Sequence, residues 1–267
     1  MSSPAEPCLG RPPLVLLVPG AVAALLLVVP MVTLVVDTPW GQFVDQLTSE
    51  AVGEALWLTA LASMLTVVLC LLLGTPLAWL LARVAFPGRS ILRAAVLVPL
   101  VLPPVVAGVA LVTALGRTGA VGRPLDAMFG LTIPYTTTAV VIAHTFVSMP
   151  FYVLSVEGAL RSAGEEFDAV AATLGADRWT TFRRVTLPLA LPGVIAGAAL
   201  AWARSLGEFG ATITFAGNYE GTTRTMPSLI YTLLQSDPQL ARTVSMVLLV
   251  LSVAVLALLR NRWLTRP

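Results

Sequence analysis

Five stretches of this chain, Leu14–Val36, Ala55–Ala82, Ala94–Gly116, Tyr135–Val156 and Thr243–Leu259, contain no charged residue. A sixth, Leu189–Ala216, carries only Arg204 and Glu208. Crossing the hydrocarbon of a bilayer takes about 20 residues of helix. In lipid a chain must satisfy its own backbone hydrogen bonds, which leaves the helix as the natural solution for runs of this length. With 57% of residues hydrophobic and 11% charged, a soluble core could not hide so much apolar surface. The runs predict an all-α, polytopic membrane protein with six transmembrane helices.

Orientation follows from the positive charges. The chain has no lysine, so arginine carries all of them. With both termini in the cytoplasm, the inner segments hold Arg11, Arg83, Arg89, Arg93, Arg161, Arg178, Arg183, Arg184, Arg260, Arg262 and Arg266. The outer loops hold Arg117, Arg123, Arg224 and Arg242. This is a positive-inside bias, and the purely acidic outer loop from Asp37 to Glu54 agrees with it. The first apolar run is longer than a signal-peptide core of about 7–15 residues and no small-residue cleavage site follows, so it reads as a retained helix. Cys8 falls in the inner tail and Cys70 in mid-membrane, too far apart in depth for a disulfide.

The missing chemistry narrows the function. A Walker-type phosphate loop needs a lysine, and so does a Ser–Lys dyad. His144 is the only histidine, so neither a two-histidine metal site nor a histidine proton relay is available, and no metal ligands are expected. His144 reads as a packed, hydrogen-bonded residue of the fourth span. Nothing points to nucleic acid.

One polar segment, Asp168 to Pro192, separates the fourth and fifth spans, and Arg178, Arg183 and Arg184 place it inside. Glu165, Glu166 and Asp168 crowd a helix start, where negative charge suits the macrodipole. Ala169, Ala171 and Ala172 give a slim helical face, and Gly175 can end that helix in a left-handed conformation. Asp177 can cap a second short helix that carries Trp179 and Phe182 on one face. Pro188 closes the unit. Such an aromatic stripe can lie in the headgroup region or dock in a partner groove.

The segment AVAATLGADRWTTFRRVTLP, with Gly175, Val185, Leu187 and Pro188 in place, resembles the loop motif of permease subunits of type I ABC importers. Those proteins usually have Glu near the position of Asp168 or Ala169, where this chain offers Asp168. The resemblance covers roughly Val52 to Leu259 and implies the type I importer permease fold. It also implies that the loop seats in a cleft of a separate ATPase subunit, with Asp168, Ala172, Gly175, Ala176, Trp179, Phe182, Arg183 and Pro188 carrying the coupling. A second block, ARSLGEFGATITFAGN followed by TTRTMP, is similar to molybdate permeases, and LVPLVLPPVVAGVAL (Leu97–Leu111) fits the same group. Sulfate permeases commonly vary at Gly207–Gly210. The resemblance implies a homodimer in the cytoplasmic membrane, an ATP-binding subunit that holds ATP and Mg, an extracytoplasmic molybdate-binding protein, and no cofactor in this chain.

Within the fifth span, Arg204 and Glu208 stand four apart on one helical face. Arg204 lies eleven residues, about 16 Å, beyond Gly193 and so near mid-bilayer. A charge there costs about 2.5–3.5 kcal/mol on insertion scales. The pair either fixes helix packing, or Arg204 attracts a dianion while Glu208 tempers the attraction. Ser205, Gly210 and Thr212 complete the candidate pathway or gate. Asn218, Thr223 and Arg224 lie on the outer side, as a docking site for a delivering protein or as a solvated loop. Pro99, Pro103 and Pro104 break the third span, as a plain kink or a cavity lining. Pro76 and Pro150 read as kinks. The expected organisation is a tail, first helix and outer loop over residues 1–50, a transporter core over 51–260 with its coupling loop at 161–192, and an inner tail over 261–267. A sulfate, thiosulfate or tungstate permease is the nearest alternative. An ion-coupled carrier would have Glu208 as its one candidate acid, and a membrane enzyme lacks a convergent catalytic set.

Overall fold

The computed structural model describes residues 14–164 and 166–263. The tail bearing Cys8 and Arg11, together with Glu165 and Arg266, lies outside them. The described residues are helical and connected by short turns. Helix α1 (Leu14–Val36) buries none of its length against the rest of the chain. After a short α2 (Phe43–Leu47), helix α3 (Glu50–Leu69) passes through a π-helical turn, Cys70–Gly74, into α4 (Thr75–Arg83). The three pieces form one rod of 34 residues. Pro76 has no N–H and its ring would collide with the carbonyl one turn back. The wider turn ahead of it absorbs that conflict within a continuous helix.

The third span divides at Pro103 and Pro104 into α5 (Arg89–Val101) and α6 (Pro104–Leu115), whereas Pro99, also expected to break it, sits inside α5. An outer helix α7 (Gly122–Phe129) leads to α8 (Thr137–Ser162), the long central helix. On the arginine-rich side follow α9 (Glu166–Thr173) and α10 (Arg178–Thr181). A second π-helical turn, Phe182–Thr186, joins α10 to α11 (Leu187–Leu206). The chain finishes with α12 (Gly210–Phe215), α13 (Met226–Ser236) and α14 (Pro238–Trp263). Among the described residues five helices are long and apolar enough to cross a membrane. The split pair α5–α6 supplies the sixth crossing.

Two expectations need correction. Pro188 does not close the polar unit, because it sits in the first turn of α11 and the helix runs unbroken from Arg178 to Leu206. The Leu187 N–H reaches back to the Phe182 carbonyl, the five-residue step of a π turn, and that wide turn accommodates the proline. The fifth span, conversely, is not one helix. It stops at Leu206, and Gly207–Phe209 link it to α12.

Helix α8 is the axis of the bundle. Ala143, Val147, Tyr152, Val153, Val156 and Leu160 are all buried on it, and α3, α4 and α11 pack around it. Helix α11 comes close because it presents glycine: a Cβ at Gly193 would stand 2.2 Å from the Ala159 Cβ. Small residues allow such approach where no hydrophobic drive between helices operates. Large apolar side chains such as Trp57, Leu72 and Val101 stay exposed, as lipid-facing positions should. Gly193→Val should therefore destabilise the protein by about 1–3 kcal/mol through overpacking, read as a lower thermal unfolding midpoint in detergent. Gly158→Ala on the open side of α8, where a Cβ meets nothing within 4 Å, should not lower it.

Candidate coupling loop and membrane pathway

The polar loop is built by backbone caps. Gly175 adopts φ +82°. Its N–H reaches the Ala172 carbonyl, and the Ala176 N–H reaches that of Ala171, both at 3.0 Å. This paired closure satisfies carbonyls at the end of α9 and turns the chain sharply. Asp177 then caps α10, accepting the Thr180 N–H at 3.1 Å. Its hydrogen bonds with Thr180 hold its carboxyl below the usual carboxylate range, so the cap is charged at neutral pH.

Asp168 locks the loop to the membrane bundle. The Thr186 hydroxyl donates to its Oδ1 at 2.8 Å, and the Arg83 Nε lies 3.3 Å from its Oδ2. Arg83 also donates to the Gly164 carbonyl. The carboxylate thus joins α9, the end of α4 and the π turn leading into α11. Arg83, Thr186 and Trp79 were not singled out from the sequence. Asp168 precedes Thr186 by eighteen residues and follows Arg83 by eighty-five, with no local spacing to connect them.

The aromatic stripe forms as expected. Trp179 and Phe182 stack with centroids 5.8 Å apart, and Phe182 sets its edge against Trp79. Trp179 projects, 65% exposed. Ala172, Gly175 and Arg183 are exposed as well, and Ala176 is half-buried. An open pocket of about 490 Å³ lies between the loop and the end of α4, lined by Trp79, Arg83, Asp168, Ala172, Ala176 and Phe182 among others. Pro188 lies above this surface, exposed on the first turn of α11.

Deeper in the membrane, Arg204 and Glu208 do pair, with Nη2 to Oε2 at 2.7 Å. Because α11 ends between them, they do not share a helical face as the sequence suggested. Glu208 occupies the break, 1% exposed, and its Oε1 accepts the Ala211 N–H at 2.7 Å. One carboxylate therefore neutralises an arginine and satisfies backbone freed by the break, which is what a buried charge requires. Ser205 is buried, with Oγ 2.7 Å from His144 Nδ1. Trp202 Nε1 donates to Ser63 Oγ at 3.1 Å. Gly210 packs on α6, where an added Cβ would fall 2.7 Å from the Pro104 Cβ. The Thr212 hydroxyl is buried with no hydrogen-bond partner among the described residues.

On the outer side, the Arg224 Nε donates to Asn218 Oδ1 at 3.2 Å and the same guanidinium meets Glu220. Thr223 is fully buried, and its hydroxyl accepts the Tyr219 N–H at 2.9 Å. It braces the loop instead of offering a surface contact, which corrects its expected place in a docking patch. A second membrane-boundary charge cluster also escaped the sequence reading. Glu157 is buried on α8 and takes both Arg93 and Arg161. Its spacing of four from Arg161 was the available signal.

The described residues form a helical bundle with a polar loop on its arginine-rich face and a charged break where one crossing helix ends, an arrangement that fits a membrane transport permease. The chain belongs to the family described as binding-protein-dependent transport system inner membrane component, whose model matches residues 74–266. It is 47% identical over 239 residues to the molybdenum transport system permease protein ModB of Mycobacterium tuberculosis, covering 89% of each chain. Against the protein of the same name in Escherichia coli (strain K12), the identity is 42% over 213 residues, 80% of this chain and 93% of the relative. The sulfate transport system permease protein CysT of Salmonella typhimurium is 37% identical over 236 residues, 87% and 85% of the two chains. Among solved structures, a bacterial ABC transporter that imports the polysaccharide alginate superposes with a TM-score of 0.75 at 21% identity, over 94% of this chain and 95% of the other. The inward-facing methionine transporter MetNI gives 0.62 at 20%, over 82% and 100%. At those identities the likeness is one of fold.

Glu208→Ala would leave the half-buried Arg204 without its partner and the Ala211 N–H without an acceptor. The expected loss is about 1–3 kcal/mol, chiefly from the unsatisfied N–H, measured as a fall in thermal midpoint of the purified protein. Glu208→Gln keeps an acceptor for Ala211 and should lose less.

Proposed function

We propose that this chain is the permease subunit of an ATP-driven importer that carries molybdate across the cytoplasmic membrane. It acts as a homodimer, with ATP-binding subunits below and a molybdate-binding protein above, and performs no bond chemistry itself. The observation that carries the reading is the loop clamped by Asp168, an exposed aromatic knob on a rigid base that continues directly into a pathway helix. Substrate class rests on relatives: molybdenum permeases reach 47% and 42% identity, against 37% for a sulfate permease.

ATP binding on the partner subunits draws the two loops together. Because the helix runs unbroken from Arg178 to Leu206, that displacement tilts α11 and acts on the break at Gly207–Phe209. There the Arg204–Glu208 pair forms a gate. With Glu208 held by Arg204 and by the Ala211 N–H, the dianion meets no free carboxylate to repel it. Ser205, Gly210 and Thr212 flank this gate, with the Thr212 hydroxyl as a donor ready for a passing oxyanion. Asn218 and Arg224 form the outer contact for the binding protein, braced from behind by Thr223. The same pairing argues against an ion-coupled carrier, since Glu208 is committed to Arg204 and is not free to bind a coupling cation.

The test is ATP hydrolysis by the reconstituted permease–ATPase complex given binding protein loaded with molybdate, tungstate or sulfate. Stimulation by molybdate or tungstate and not sulfate is expected. Stimulation by sulfate alone would overturn the substrate, and absence of an associated ATPase would overturn the mechanism. Trp179→Asp combined with Phe182→Asp should still insert in the membrane. Loss of aromatic anchors costs about 2 kcal/mol or more, so affinity for the ATPase subunit should fall about 30-fold, measured by co-purification.

A further inference from the structure

Arg89, Arg93 and Arg161 surround a second cytoplasmic pocket, of about 390 Å³, whose walls also include Phe86, Gly88 and Ser90. It lies at the start of α5, where that helix enters the membrane. The three guanidiniums are held in place by groups behind them. Arg89 donates through Nε to the Leu81 carbonyl at 2.8 Å and through Nη2 to that of Ala82 at 3.2 Å. Arg93 donates through Nε to Glu157 at 3.0 Å and through Nη2 to the Leu81 carbonyl at 3.1 Å. Arg161 pairs with the same Glu157 oxygen at 2.9 Å. Among the described residues, the Nη1 groups of all three arginines have no acceptor.

Charge is also in excess. Three arginines face one carboxylate, Glu157, which is buried behind the pocket with its side chain 6% exposed. Two positive charges are left uncompensated by the described residues of the pocket. Arginine forks fixed from behind and open in front match the geometry of a phosphate.

The surroundings select a lipid over a soluble anion. Ile91, next along α5 from Ser90, is 74% exposed, and α5 packs against the bundle through Leu92 and Val96 while Val98 and Val101 stay exposed. A phosphate seated among the arginines would therefore have its acyl chains running down an apolar helix face. Basic pockets between transmembrane helices on the cytoplasmic side suit anionic headgroups.

We infer that this pocket is a binding site for an anionic phospholipid of the inner leaflet, held through its headgroup phosphate by Arg89, Arg93 and Arg161. The site joins α5 to α8 through Glu157, so a bound lipid ties the broken third span to the central helix. This inference does not depend on the transported substrate.

Native mass spectrometry of the delipidated permease–ATPase complex titrated with phosphatidylglycerol tests it. Phosphatidylglycerol should bind at least tenfold more tightly than phosphatidylcholine. Arg161→Gln and Arg89→Gln should each weaken it about fivefold, and Arg161→Lys, which keeps the charge, should retain most of it. Arg117→Gln in an outer loop should have no effect. Arg161 is 49% exposed and Arg93 keeps Glu157 paired without it, so the Arg161 variants decide the matter should Arg89→Gln fail to fold. Equal phosphatidylglycerol binding in Arg161→Gln and the parent would overturn the site. Displacement of the lipid by inorganic phosphate at equal concentration would also overturn it, because the pocket would then hold a free anion with no use for acyl chains.

Discussion

Asp168 accepts the Thr186 hydroxyl and faces the Arg83 guanidinium, and these two contacts join three elements that are far apart along the chain. Without them α9 would be a short helix held by little besides its ends and the buried Ala171. Eight residues of isolated helix are not stable in water, so its shape depends on what holds it. With the contacts in place, the loop, the end of the α3–α4 rod and the base of α11 form one unit. In the proposed importer, a partner that grips Trp179 then moves membrane helices and does not merely bend a loop.

The membrane interior applies the same economy to polar groups. Among the described residues the buried carboxylates near the core are paired: Glu208 with Arg204, and Glu157 with Arg93 and Arg161. His144 and Ser205, and Trp202 and Ser63, tie α8, α11 and α3 by side-chain hydrogen bonds. Those bonds locate the helices laterally, while glycines such as Gly193 let them approach. The break at Gly207–Phe209 is tolerated because Glu208 supplies an acceptor to the backbone it frees.

Much of this was legible in the sequence because the signals were local. Uncharged runs gave the crossings, Pro103–Pro104 the split third span, Gly175 the left-handed turn and Asp177 the cap. The loop motif gave the family. What stayed hidden depends on distance or on subtle helix geometry. No spacing links Arg83 to Asp168 or His144 to Ser205. A proline reads as a stop or kink, so Pro76 and Pro188 did not reveal that a π turn would carry each helix through. The end of α11 at Leu206 was masked by the apolar residues on both sides, which made two helices look like one. Thr223 looked like a loop residue open to a partner, and its full burial and the hydrogen bond it accepts from the Tyr219 N–H show that it faces inward.

The central claim is that loop and pathway helix move as one body. Spin labels at Ala172 in the loop and Ala203 near the outer end of α11, diluted with unlabelled chain in the permease–ATPase complex, report it through their separation. One narrow distance is expected, the same without nucleotide and with ATP bound, that broadens in Asp168→Ala. A separation that changes on ATP binding in the unmodified loop would contradict it, because the loop would then flex independently of the helix it is supposed to drive.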